Sequence, residues 1–175
     1  MATNLQFIKQ VINTSGRITT LNISDCFPSK YKIFQVFCDA NCYTDIARQV
    51  DVRLLDSGGN VISDSEYAYA RLQLRSNASF NENKSSSDTN WDRPFCTNDN
   101  NPEPSVGILT LYNPNDATSY TFATSQGASM NGTGSLRGAK FIGVHKSTEE
   151  ITGLQIFNSD SAMDTGTKLT VYGVK

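Results

Sequence analysis

Apolar side chains in this sequence recur at every second position in short runs, and turn-forming residues stop each run. A period of two sends alternate side chains to opposite faces of an extended backbone, so each run reads as a strand with one buried face. Residues 5–12 (LQFIKQVI) are the first, stopped by Asn13-Thr14-Ser15-Gly16, and residues 18–23 are the second, anchored by Ile18, Leu21 and Ile23. Asp25-Cys26-Phe27-Pro28-Ser29 then makes a loop, because Pro28 lacks a backbone donor and biases Phe27 away from helix. In residues 31–38 Ile33 and Phe37 share one face while Phe34 and Val36 share the other, which opens the option of cover on both sides. Residues 49–55 and 67–74 follow, separated by the turn Asp56-Ser57-Gly58-Gly59-Asn60. Residues 108–112, 120–123, 139–145, 151–157 and 168–174 complete the set, and no long window carries a helical period. The expected fold is all-β: a single β-sandwich domain over residues 1–175, jelly-roll-like, with about 8–10 strands.

Composition agrees. Ser, Thr and Asn number 19, 17 and 16, side chains that compete for backbone hydrogen bonds and favour turns and strands over helices. Fifteen basic and 17 acidic residues leave a net charge of −2, which gives no global handle for nucleic acid or an anionic membrane. No apolar run approaches the roughly 20 residues of a membrane span. The first residues lack a basic stretch followed by a long apolar one, so synthesis in a cytoplasm without a secretory signal is expected. The five N-x-[ST] sequons, at Asn13, Asn22, Asn77, Asn83 and Asn131, are then products of composition.

One stretch departs from the alternation. Residues 75–105 are polar, with Phe80, Trp91, Phe95 and Cys96 the main apolar members, and they read as a long irregular excursion. The aromatic residues need burial somewhere, so an ordered excursion that contacts a neighbour is expected. Phe80, Trp91 and Phe95 are the candidate interface anchors, and Leu5 in the N-terminal arm is a fourth. Trp91 reads as the aromatic least committed to the core, and it also fits a sugar platform. Tyr67 and Tyr69 share one face of their strand and are expected in the core.

Chemistry is harder to find. Of Cys26, Cys38, Cys42 and Cys96, only Cys38 and Cys42 are closely spaced, which is poor spacing for zinc; reduced, partly buried thiols are expected. The single histidine, His145, shares a strand face with Phe141 and Gly143 and reads as a satisfied strand histidine rather than a general base. No G-x-S-x-G occurs, and Gly132-Thr133-Gly134-Ser135-Leu136-Arg137-Gly138 has neither the spacing nor the context of a phosphate-binding loop. Asn98-Asp99-Asn100-Asn101-Pro102-Glu103 offers hard oxygens but matches no calcium-loop spacing and reads as a solvated turn. Glu149 and Glu150 are adjacent and point to opposite sides of a strand, so they make no acid/base pair. No catalytic, cofactor-binding or metal residue is assigned, and the expectation is a protein that is not an enzyme and carries no cofactor.

Two stretches carry a resemblance. Residues 22–36 (NISDCFPSKYKIFQV) resemble a signature of tailed-bacteriophage virion proteins, in which an apolar-polar strand runs into Asp-x-Phe-Ser-x-x-Tyr-Asp-x-Tyr-Lys-Ile. Here Pro28 stands in place of the Ser, and the stretch from Phe27 to Tyr31 is shorter than in that pattern. Residues 151–159 and 166–175 (GTKLTVYGVK) are similar to the closing strands of the same proteins, which end Gly-x-Ile-x-Leu-Tyr-Gly-Ile/Val-Lys. The two stretches frame the chain; residues 75–135 lie outside the resemblance. It implies a small jelly-roll virion structural protein, of the decoration or fibre-associated kind seen in marine phages and cyanophages. It further implies a homo-oligomer, often a trimer, placed on the virion surface against the major capsid protein or tail and fibre proteins.

A chain with no shaft, coiled coil or anchoring helix makes no long fibre alone, which favours a capsid decoration (cement) protein. The alternative is a receptor-binding module at the tail or fibre tip that takes a host surface glycan, with residues 75–105 and 124–135 as the source of a groove. A glycan-cleaving enzyme is a distant third, for want of an acid/base pair.

Overall fold

The computed structural model describes residues 4–42, 50–95, 103–158 and 163–175. Its strands are β1 (Leu5–Ile12), β2 (Thr20–Ile23), β3 (Ile33–Ala40), β4 (Asp51–Leu55), β5 (Tyr67–Arg75), β6 (Asn81–Asp88), β7 (Ser105–Tyr112), β8 (Thr121–Met130), β9 (Leu136–His145), β10 (Gly153–Phe157) and β11 (Lys168–Val174). No helix occurs among the described residues. The strands form two sheets, β1-β11-β3-β7-β8-β9-β5-β6 and β2-β10-β4, and every pairing is antiparallel.

The chain is a β-sandwich. From β1 to β4 it alternates between the large and the small sheet, and β10 and β11 return in the same alternation. The middle strands depart from it: β7, β8 and β9 run as a meander, and the β5–β6 hairpin extends the large sheet further.

The alternation read in the sequence decides what is buried. Phe34, Val36 and Cys38 of β3, Leu109 and Leu111 of β7, and Leu169 and Val171 of β11 point inward. They meet Leu21, Ile23, Val52, Leu54, Leu154 and Ile156 of the small sheet. Tyr67 ties the two layers: its hydroxyl accepts the Leu54 N–H at 2.9 Å and donates to the Ile62 carbonyl at 3.0 Å. Both hydrogen bonds are buried, where leaving a partner unmet costs about 1–3 kcal/mol. Gly173 lets this core close, since a Cβ there would stand 2.4 Å from the Tyr31 ring.

Because the small sheet has three strands, it does not cover the whole inner face of an eight-stranded one. Residues 89–95 fill the gap. Trp91 exchanges backbone hydrogen bonds with Val52 at 2.9 and 3.1 Å, extending the edge of the small sheet by one bridge. Its indole packs edge-on against Tyr67 and Phe141, with centroids 5.6 and 6.0 Å away. Ser125 Oγ donates to the Pro94 carbonyl, and Phe95 lies over Gly107.

Residues 75–105 are therefore not irregular throughout. Asn81–Asp88 form β6, an edge strand whose pairing to β5 runs through a register shift between Tyr67 and Tyr69. Its sequence, NENKSSSD, has no apolar alternation to read, and a polar edge strand discourages pairing with a further chain. Ser105 opens β7. The acidic-amide run at 98–102 and Cys96 lie outside the described residues.

Candidate interaction surface

The large sheet has a second face. Its register sets Phe7, Tyr172, Gln35, Thr110, Thr124, Ile142, Ala70 and Lys84 in one row across all eight strands. Ile33, Tyr112 and Phe122 lie in the row beside it, and Phe37 and Ile108 in the row on the other side. This face turns away from the sandwich core. Ile142 is 62% exposed, Phe7 54% and Phe122 49%, with Ile12, Ile33, Val106, Ile108 and Leu72 also open. A shallow concavity of about 650 Å³ occupies its middle, floored by Leu72, Ile108, Thr124 and Ile142 and edged by Lys84 and Lys140.

Toward β1 the same face holds an aromatic cluster. Tyr172 meets Phe7 and Phe37 edge-on, with centroids 5.9 and 5.4 Å apart. Edge-to-face pairs hold ring orientation beyond what area burial alone does. Among the described residues this is a broad, mostly uncharged β surface whose apolar side chains are interspersed with Gln35, Thr110, Thr124 and Gln126. Patches of this kind mark sites of association.

The four anchor residues read from the sequence divide. Leu5 opens β1 beside Val174 on the outward face, and Phe80 stands 63% exposed just before β6, so both are surface groups at opposite margins of the large sheet. Trp91 and Phe95 are corrected: Trp91 has no exposed surface and Phe95 is likewise buried, both in the main core cluster. The physical cause is the uncovered stretch of inner sheet, which offers these rings burial within their own chain. A sugar platform on Trp91 is overturned by the same burial.

Apart from Leu5, the residues of the outward face are not read as a surface from the sequence, although β3 carries the signal. Ile33 and Phe37 make its second face as apolar as the first. The structure covers only the Phe34 and Val36 side.

His145 also needs correction. It ends β9 wholly buried, as a strand histidine should, but neither ring nitrogen has a hydrogen-bond partner. Burial lowers its pKa from the ordinary imidazole value, against the charges of Glu66 and Asp64. Glu149, read from the sequence only as a neighbour of Glu150, approaches this ring. Cys26, Cys38 and Cys42 are buried thiols.

A second charged cluster lies inside. Arg71 reaches Asp92 at 3.4 Å, Arg93 Nε reaches the other oxygen of Asp92 at 2.9 Å, and the Arg93 backbone N–H donates to Asp51 at 2.9 Å. These contacts lock residues 89–95 onto the inner sheet. Burial of Asp51, opposed by that backbone hydrogen bond, raises its pKa to about 7.

Fold and surface together define a β-sandwich with one broad sheet face that no other layer of described residues covers. No known protein-family model matches the chain, and no curated protein is detectably similar to it.

Proposed function

We propose that this chain is a non-enzymatic structural protein of a tailed-bacteriophage virion, a capsid decoration protein that works through contact area. It assembles with further copies of itself as a symmetric oligomer, a trimer by the resemblance at residues 22–36, 151–159 and 166–175. The observation that carries the reading is the outward face of the large sheet, where Phe7, Phe122 and Ile142 stand exposed in adjoining rows that cross the eight strands. Such a face loses solvation-unfavourable apolar area when a second copy covers it, at about 25 cal/mol per Å². The occupant is a neighbouring copy of this chain, since the resemblance implies a homo-oligomer and a closed symmetric assembly covers the face on every subunit. The β6 margin of the sheet is polar and discourages edge-to-edge pairing there.

The test is cryo-electron microscopy of intact particles, with the mass of the isolated protein measured by light scattering. Many copies in trimers over the capsid, buried on this face, support the reading. A few copies at the tail replace decoration with host recognition. Particles without the chain remove the virion assignment.

A further inference from the structure

At one end of the sandwich the close of β9, the approach to β5 and the loop before β10 bring three ligand-type side chains together. His145 is wholly buried against the Tyr67 ring, whose centroid is 4.8 Å away. Its Nε2 stands 3.9 Å from a carboxylate oxygen of Glu66 and 3.9 Å from one of Glu149. Both separations exceed hydrogen-bond length, and neither nitrogen of the ring has a hydrogen-bond partner. A buried ring nitrogen aimed between two carboxylates and bonded to neither is an arrangement that protein–protein hydrogen bonding does not account for.

We propose that Glu66, His145 and Glu149 form a site for one divalent first-row transition-metal ion, of the Zn²⁺ class. The three ligand atoms lie within 4.8 Å of one another. Bonds of about 2.0–2.2 Å in a tetrahedral or octahedral shell set neighbouring ligands about 2.8–3.6 Å apart. Modest rotation of the two glutamates closes that gap. They have room to turn, since the Glu66 side chain is 43% exposed and that of Glu149 34%. The imidazole is the fixed floor of the site and the carboxylates its movable rim, so an ion enters from solvent. An imidazole ligand selects against Ca²⁺ and Mg²⁺, which take oxygen shells, and favours Zn²⁺ or another late first-row ion such as Co²⁺ or Ni²⁺. Asp64 and Asp56 add negative charge nearby.

The backbone prepares the arrangement. The Lys146 N–H donates to the Glu66 carbonyl at 3.0 Å, pinning the residue after His145 to the residue before β5. The Thr152 hydroxyl donates to the Asp56 carbonyl at 2.6 Å, holding the far end of the Glu149 loop. A bound ion therefore adds a cross-link from the loop before β10 to the paired ends of β5 and β9, and its role is structural. This site is independent of the virion reading.

Titration of metal-stripped protein with ZnCl₂ by calorimetry tests it, with Co²⁺ absorption as the second readout. The expected result is one ion per chain, a higher melting temperature with Zn²⁺, and Co²⁺ d–d bands without a sulfur charge-transfer band. Glu66→Gln and Glu149→Gln should each weaken binding by at least about tenfold while leaving the metal-free melting temperature in place. Three results overturn the proposal: no saturable binding up to about 1 mM Zn²⁺, unchanged affinity in either variant, or a charge-transfer band that moves the ion to a cysteine.

Discussion

The indole of Trp91 lies on Gly143, so closely that a Cβ at position 143 would stand 2.9 Å from Nε1. Nε1 donates to the Val144 carbonyl at 3.4 Å from this seat. The glycine is therefore a packing device, and the excursion closes onto the sheet at that point. Gly143→Ala should destabilise the fold by about 1–3 kcal/mol through overpacking. Trp91→Ala should cost about 3–5 kcal/mol. Urea unfolding measures both. A Trp91→Ala protein that keeps its stability and loses only its partners would return this residue to the surface.

Asp51 gives the fold a pH dependence with a definite sign. Its carboxyl moves from 3.8 to about 7 on folding, chiefly through burial, with the Arg93 N–H, Asp92, Arg93 and Arg71 as the polar and charged groups around it. A raised carboxyl pKa means that the folded state favours the protonated form. That stabilisation is complete below pH 3.8 and is lost as pH rises through 7. Asp51→Asn keeps an oxygen for the Arg93 N–H and removes the titration. Between pH 5 and pH 8 wild type should lose more stability than the variant, by at most about 2.6 kcal/mol, since part of the loss has already accrued by pH 5. Equal pH slopes in paired urea titrations would show that Asp51 does not titrate in this window.

On the outward face, Ile142→Lys and Phe122→Lys should leave the isolated fold nearly untouched, within about 0.5 kcal/mol, because both positions are exposed. The same changes place a charge on the face assigned to self-association. Sedimentation velocity should then show monomer where wild type is oligomeric. An unaltered oligomer in both variants would move the interface elsewhere.

Burial pushes the Cys26 thiol up to about 12 and Cys38 higher still. Thiolate is the reactive form, so both should resist iodoacetamide at pH 8 in the native protein and react fully in guanidinium. Peptide mass mapping reads each cysteine separately. Rapid native labelling of Cys38 would contradict its place in the core between the two sheets.

Local sequence determined the strands whose alternation is complete. Phe34-Gln35-Val36 and Tyr67-Ala68-Tyr69 show their buried faces without any knowledge of the partner, because a strand's two faces are fixed by a period of two. It also marked β3 as apolar on both sides, which is the trace of the outward face. Long-range packing decided the rest. β6 is held by backbone pairing to β5, which uses no side-chain pattern, so its polar sequence carries no sign of a strand. Trp91 and Phe95 lie in a polar stretch, and only the mismatch between a three-stranded and an eight-stranded sheet turns them inward. Glu66, His145 and Glu149 are separated by up to 83 residues and meet because the β9 terminus, the approach to β5 and the loop before β10 end at the same edge of the sandwich. Periodicity is a local property of the chain; which face is covered, and by what, is a property of contacts between segments far apart in sequence.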